Sequence, residues 1–170
     1  MFELLPPGRS GGKWTETVLH RFGPNVQNPV SGVVVDEMGL VYGTTYTEVF
    51  NLVDGTSLPL HVFSGSHQIG GYLPYGGVVL DAAGNLYGTT IGGGQTSQGV
   101  VYRLNRPARP GLNWTETVFH SFAGSPDGDG PDAPLLLHQD ALYGTTLRGG
   151  SEGCQSFGSV GCGTVFRVAN

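Results

Sequence analysis

The sequence has little charge and no long apolar stretch. Charged residues make up 12% of the 170 residues, about half of the ~25% usual in soluble domains. Because no apolar run approaches the ~18 residues needed to cross a bilayer, we expect no membrane span. The chain does not begin with a basic segment followed by an apolar one, so we expect no signal peptide. The net charge of −5 argues against a nucleic-acid partner, whose phosphates require clustered Lys and Arg.

Helical periodicity is also missing. No window carries a sustained apolar pattern at i, i+3, i+4 and i+7, so we expect almost no helix. Glycine is abundant instead, with 30 residues, and apolar residues still account for 38% of the chain. This composition predicts a packed all-β protein that is rich in turns.

Four short segments recur in the same order along the chain. Tyr-Gly-Thr-Thr begins at Tyr42, Tyr87 and Tyr143. An aliphatic run precedes each copy, and an aromatic-x-aliphatic segment follows it. The string Trp-Thr-Glu-Thr-Val occurs at 14–18 and again at 114–118. All four segments are rich in β-branched and aromatic residues and are bounded by turn residues, which is typical of strands.

Four-stranded units that repeat every ~45–55 residues are typical of propeller blades. We therefore predict an all-β, β-propeller-like fold with three repeats of four-stranded antiparallel blades in one repeat domain. Residues 1–28 match the end of a preceding blade, and the repeats are expected at 29–63, 74–120 and 131–170. A solenoid or a flat array of hairpins is the alternative.

Local patterns add detail to this prediction. Asp36–Gly39 and Asp81–Gly84 are expected to form tight hairpin turns with glycine in the left-handed region. The glycine inside each Tyr-Gly-Thr-Thr string predicts a bulge or a close contact with a neighbouring sheet. The aliphatic runs predict innermost strands that are buried on both faces.

Three blades cannot close a propeller, which needs roughly four to eight. We therefore expect the chain to be completed by itself, as a six-bladed dimer, or by further repeats of a longer propeller. The strand at Trp14–His20 is a candidate for the missing fourth strand of the last blade.

Several of these segments resemble the GloVer tandem repeat. The best copy runs from Leu142-Tyr143-Gly144-Thr145-Thr146 through Gly149-Gly150 to Gly163-Thr164-Val165-Phe166. The resemblance implies a Gly-rich bacterial protein at the cell surface or outside the cell, with no assigned activity. Asp81-Ala82-Ala83-Gly84-Asn85-Leu86-Tyr87 also bears a weaker likeness to propellers of the NHL and streptogramin-lyase type.

Two sets of repeated side chains are candidates for ligand binding. His20, His61 and His120 occupy the same place in each repeat, so they could line a channel and bind a metal or an anion. Tyr42, Tyr87 and Tyr143 could stack on a sugar and form hydrogen bonds to it. The alternative for both sets is equivalent packing in each blade, with hydrogen bonds satisfied locally.

An acidic turn is the candidate metal site. Its carboxylates are Asp127, Asp129 and Asp132, and clustered carboxylate oxygens favour calcium. The spacing does not match an EF-hand, so a solvated turn and the absence of any cofactor are the default expectation.

The two cysteines, Cys154 and Cys162, lie in the long loop of the last repeat. A disulfide between them fits an exported protein, and two free thiols are the alternative.

The sequence favours a non-catalytic surface scaffold or a ligand-binding or glycan-binding propeller, because its polar residues repeat rather than converge on one unique site. A glycan or a protein is the expected ligand. The alternative is a lyase-type or hydrolase-type enzyme at the channel mouth, for which Asp127, His138 and Glu152 are the unmatched groups.

Overall fold

The strands of the protein follow the repeated segments of its sequence. The computed structural model describes residues 1–23, 28–63, 69–109, 111–151, 153–156 and 159–169. The described residues contain strands and turns and no helix, so the all-β prediction is confirmed. No helix among them is therefore available to span a membrane.

The strands are numbered in chain order. They are β1 (Phe2–Leu5), β2 (Thr15–Val18), β3 (Val34–Val35), β4 (Val41–Thr44), β5 (Glu48–Val53), β6 (Thr56–Val62), β7 (Val78–Leu80), β8 (Leu86–Thr90), β9 (Val100–Asn105), β10 (Thr115–Ser121), β11 (Leu136–His138), β12 (Ala141–Thr145), β13 (Gln155–Ser156), β14 (Ser159–Val160) and β15 (Val165–Ala169).

Every pairing between these strands is antiparallel. Sheet 1 has the order β3-β4-β5-β6, sheet 2 has the order β7-β8-β9-β10, and sheet 3 has the order β11-β12-β15. The N-terminal hairpin is β1-β2. A small β13-β14 hairpin, which the sequence did not predict, lies in the loop between β12 and β15.

The sheets stack face to face in chain order. One apolar cluster joins sheet 1 to sheet 2 and includes Tyr42, Val49, Leu86 and Tyr102. A second cluster joins sheet 2 to sheet 3 and includes Tyr87, Val101, Leu142 and Phe166. Because side chains alternate between the two faces of a strand, neighbouring residues of β8 and β9 serve different interfaces. Sheet 2 is consequently the most buried part of the molecule.

The aliphatic first strands are buried less evenly than the sequence predicts. Val78 in sheet 2 is 7% exposed, but Val35 in sheet 1 and Leu136 in sheet 3 are 58% and 62% exposed. In the described part of the chain, only sheet 2 has a four-stranded neighbour on one side and a three-stranded neighbour on the other. The expected burial on both faces is therefore wrong for sheets 1 and 3, each of which has an incompletely covered face.

The mid-strand glycines serve a contact within their own sheet. Gly43, Gly88 and Gly144 pair in regular register with Phe50, Tyr102 and Phe166. A Cβ added at Gly88 would lie 2.5 Å from the Tyr102 hydroxyl, and one at Gly43 would lie 2.8 Å from the Phe50 ring. The expectation of a bulge or a contact with a neighbouring sheet is wrong, because glycine here makes room for the aromatic ring of the next strand in the same sheet. The predicted left-handed glycines are present at Gly39 and Gly84, both with φ of 84°.

Candidate functional site

The three repeated histidines belong to a His-x-Phe motif at the end of a strand: His61 and His120 lie in the last residues of β6 and β10, and His20 lies just after β2. The centroid of each histidine ring lies 4.6 Å from that of a phenylalanine two residues later. That phenylalanine then contacts the third-strand aromatic ring of the next sheet, at 5.3, 5.0 and 5.0 Å. The three chains of contact are His20-Phe22-Phe50, His61-Phe63-Tyr102 and His120-Phe122-Phe166.

Each histidine has its own polar partner. His20 Nδ1 donates to the carbonyl oxygen of Gly55 at 2.8 Å. His61 Nε2 lies 3.4 Å from Glu116 Oε2, and His120 Nε2 lies 2.9 Å from Asp127 Oδ2. The histidines therefore serve separate sheet junctions, and among the described residues no group of His, Cys, Asp or Glu is arranged to hold a metal ion. Their role in ligand binding stays a prediction.

Two of the three repeated tyrosines are buried between sheets. Tyr42 and Tyr87 are 2% and 1% exposed, and their hydroxyls donate to Asp36 and Asp81 at 3.1 and 2.9 Å. A sugar could stack on either ring only by displacing a neighbouring sheet. Tyr143 differs because the turn in sheet 3 is shorter, and its hydroxyl accepts a hydrogen bond from Arg167 Nε at 3.3 Å.

The aspartates that hold the buried tyrosines also organise their own turns. Asp81 accepts hydrogen bonds from the backbone N–H groups of Ala83 and Asn85 at 2.9 and 2.8 Å, and from the Asn85 side chain at 2.9 Å. Burial acts to raise the pKa of Asp81, but these hydrogen bonds and that of Tyr87 outweigh it, so the pKa lies below its ordinary value. Asp36 makes the corresponding contacts in sheet 1.

The acidic turn joins the loops of sheets 2 and 3. Arg148 donates to both carboxylate oxygens of Asp129, at 2.7 and 2.9 Å, and the two backbones form a bridge. These hydrogen bonds raise the pKa of Arg148. Asp127 accepts from His120 and from the backbone N–H of Ala123. The carboxylates of Asp127 and Asp129 therefore have separate protein partners, and calcium binding with Asp132 stays a prediction.

The two cysteines are joined in the structure. The Cys154 and Cys162 Cα atoms lie 5.1 Å apart and their sulfurs form a disulfide. The bridge closes the loop between β12 and β15, where Gly161 N donates to the Cys154 carbonyl oxygen at 3.1 Å.

The unmatched polar groups of the enzyme hypothesis do not come together. Asp127 lies in the connection that leads into sheet 3, whereas His138 lies at the other end of that sheet, beside the β11-β12 turn. Glu152 lies outside the described residues. Asp127 also forms a hydrogen bond with His120, whose ring packs on Phe122 at the junction between sheets 2 and 3.

The feature that sequence reasoning missed is a cleft between sheet 1 and the β9-β10 turn of sheet 2. Its volume is about 580 Å³, within the ~300–1,000 Å³ usual for small-molecule sites. Its polar and aromatic lining includes Tyr42, Asn51, Arg106, Asn113 and Trp114.

The cleft combines three kinds of recognition chemistry. The Trp114 ring lies 6.5 Å from the Tyr42 ring in an edge-on arrangement and is partly buried. Asn51 also lines the cleft, where its Oδ1 is buried and has no hydrogen-bond partner among the described residues. Arg106 and Asn113 are exposed at the rim and supply donors. The repeated tryptophans Trp14 and Trp114 were the sequence signal that could have located this cleft, because each marks the point where a fourth strand begins.

Comparison with known proteins identifies no neighbour, since no family model, curated protein or solved structure matches the chain. The functional interpretation therefore depends on the geometry of these side chains.

Proposed function

We propose that the protein is a non-catalytic binding scaffold made of propeller-type blades, and that its ligand is a glycan held in the cleft beside Trp114. The cleft is the observation that carries this proposal. A sugar ring presents C–H groups to an aromatic face and hydroxyls to amide and guanidinium groups. The lining by Trp114, Asn113 and Arg106 offers each of these contacts.

The propeller part of the proposal is supported by the stacking of the sheets. Each sheet places its third-strand aromatic residue against a phenylalanine from the preceding unit, and the same geometry recurs at three junctions. Repeated face-to-face sheets of this kind are the building units of propellers. The GloVer resemblance and a location at the cell surface belong to the same proposal.

The non-catalytic part is supported by how the repeated polar groups are used. The histidines bind Gly55, Glu116 and Asp127, and the turn aspartates bind backbone N–H groups and tyrosine hydroxyls. An active site generally needs a nucleophile, a base and a charge-stabilising group around one point. Asp127 and His138, the two described groups on which the enzyme alternative depends, lie at opposite ends of sheet 3.

A glycan array followed by calorimetry tests the proposal. We expect the array to identify a bound glycan, and the double change Arg106→Ala with Asn113→Ala to weaken its binding at least tenfold, which corresponds to about 1.4 kcal/mol. Both side chains are exposed, so the fold is expected to be retained.

Arg109→Ala is the matched control, because Arg109 is an exposed arginine of the same turn that does not line the cleft. It should leave the affinity unchanged. An array without any bound glycan, or equal affinity in the double variant, would contradict the proposed ligand class.

A further inference from the structure

Sheet 2 shows how two units of this protein fit together. Its rear face, which packs on sheet 1, carries Tyr102, Leu104 and Val118. Its forward face, which packs on sheet 3, carries Tyr87 and Val101. Tyr102, Leu104 and Val101 are all 0% exposed, so both faces are well covered by their neighbours.

The N-terminal hairpin carries the same rear-face pattern. Phe2 pairs with Val18 and Leu4 pairs with Glu16, as Tyr102 pairs with Val118 and Leu104 with Glu116 in sheet 2. Directly opposed residues of an antiparallel pair lie on one face. The rear end of the molecule, defined as Phe2, Leu4, Trp14, Glu16 and Val18, is therefore equivalent to a face that is buried inside the chain.

This rear end is uncovered. Phe2 is 59%, Leu4 is 50% and Trp14 is 62% exposed, whereas Trp114, the counterpart of Trp14, packs on the apolar cluster between sheets 1 and 2. An isolated two-stranded hairpin is only marginally stable in water and needs an apolar face to pack against.

The opposite end of the molecule carries the matching forward-face pattern. Leu136 pairs with Tyr143, which pairs in turn with Arg167, as Val79, Tyr87 and Arg103 do in sheet 2. The forward end, defined as Leu136, Tyr143, Val165 and Arg167, is also uncovered, since Val165 is 82% and Leu136 is 62% exposed. Val101, the counterpart of Val165, is fully buried.

We propose that a second copy of this chain covers these surfaces, with the forward end of one copy packed on the rear end of the next. The forward end and the rear end correspond to the two kinds of surface that pack together between sheets 1 and 2 and again between sheets 2 and 3. They also carry opposite charges, because Arg167 lies on the forward end and Glu16 lies on the rear end. Exposed contiguous apolar patches of this kind mark association surfaces.

The proposed contact is heterologous, since it joins two different surfaces. Such contacts produce closed rings or open filaments rather than only symmetric pairs. This inference stands on the sheet packing alone and is independent of the ligand proposed for the cleft.

Sedimentation velocity of three variants tests the inference. We expect the wild-type chain to associate as its concentration rises. Val165→Lys, which breaks only the forward end, and Trp14→Lys, which breaks only the rear end, should each be monomeric alone. Mixed in equal amounts they should form a dimer, because the mixture still contains one intact end of each kind.

Ile69→Lys is the control, since Ile69 is 73% exposed and lies between sheets 1 and 2 in the chain. This variant should associate like the wild type.

The other results of this experiment overturn the inference. If the wild-type chain stays monomeric, a second copy of the chain does not cover these two ends. Association of either single variant alone shows that identical ends meet, and failure of the mixture to form a dimer shows that the two ends do not recognise each other. Circular dichroism and thermal unfolding of each variant establish that the fold is retained, as expected for changes at exposed positions.

The charged pair gives a second, independent readout. Glu16→Arg and Arg167→Glu should each weaken association, because each places like charges opposite one another. The chain that carries both changes should recover association, because the exchanged charges again attract across the contact. Equal weakening in the single and double variants would contradict the placement of these two residues in one interface.

Discussion

At the residue scale, the aromatic position on the third strand of each sheet holds a buried polar group in one sheet and none in the other two. Phe50 and Phe166 hold this position in sheets 1 and 3, but Tyr102 holds it in sheet 2. Tyr102 is fully buried, and its hydroxyl has no hydrogen-bond partner among the described residues. Burial, assisted by the charge of Glu116, raises the pKa of Tyr102, so the group stays a neutral phenol whose hydroxyl lacks a partner.

Tyr102→Phe should stabilise the protein by about 1 kcal/mol, because it removes a buried polar group that forms no hydrogen bond. Thermal unfolding measures the change. Tyr42→Phe is the matched control, because its hydroxyl donates to Asp36 and its loss should destabilise by a similar amount. A lower melting temperature for Tyr102→Phe would show that the hydroxyl has a partner in solution.

At the scale of the element, the first hairpin turn of sheets 1 and 2 was predictable and the interfaces were not. The Asp-x-x-Gly pattern predicts the turn because the aspartate can bind the N–H groups that the turn frees and glycine accepts the positive φ. The role of the mid-strand glycine depends on which residue lies opposite it, such as Tyr102 opposite Gly88. Pairing register is set by the hydrophobic pattern of both strands and by the turn that joins them, and the string Tyr-Gly-Thr-Thr alone contains neither.

The cleft was hidden from sequence reasoning for a related reason. Asn51, Arg106 and Trp114 come from two different sheets, and nothing in their spacing along the chain brings them together. The repeated histidines, by contrast, were recognised as equivalent from the sequence, and the structure gives that equivalence a physical basis in the His-x-Phe contact.

The Asp81 turn predicts a dependence of stability on pH. Because the pKa of Asp81 is lower in the folded protein than its ordinary value of 3.8, its contribution to stability is fully present well above pH 3.8 and is lost as the pH falls below 3.8 towards the folded pKa. Asp81→Ala should cost about 1–2 kcal/mol at neutral pH, allowing for solvent screening of a partly exposed group, and should reduce the loss of stability on acidification.

Denaturant unfolding between pH 7 and pH 3 measures both effects. Asp140→Ala is the control, because Asp140 is an exposed aspartate of the corresponding turn in sheet 3. An acid dependence in Asp81→Ala as steep as that of the wild type would show that the turn does not contribute to it.

At the scale of the whole molecule, the stability of each sheet depends on the interfaces that it forms with its neighbours. Sheet 1 and sheet 3 each pack on sheet 2, through two separate apolar clusters. In stacks of repeated units the free energy is approximately a sum over units and nearest-neighbour interfaces. A change at one interface is therefore expected to loosen the sheet beyond it before it affects the other end of the stack.

The phenylalanines of the His-x-Phe motif allow this to be tested symmetrically. Phe122 is 0% exposed and contacts Phe166 of sheet 3, and Phe63 is 3% exposed and contacts Tyr102 of sheet 2. Truncating either side chain to alanine removes a buried ring and should cost about 3–5 kcal/mol of the free energy of unfolding.

Hydrogen exchange measures which sheet is loosened. In Phe122→Ala the amides of β12 and β15 should exchange faster, while those of β4 and β5 stay protected. Phe63→Ala should produce the opposite pattern, with sheet 1 exchanging faster than sheet 3. Each variant is thus the control for the other, and equal loss of protection in all three sheets for both variants would mean that the stack unfolds as a single cooperative unit.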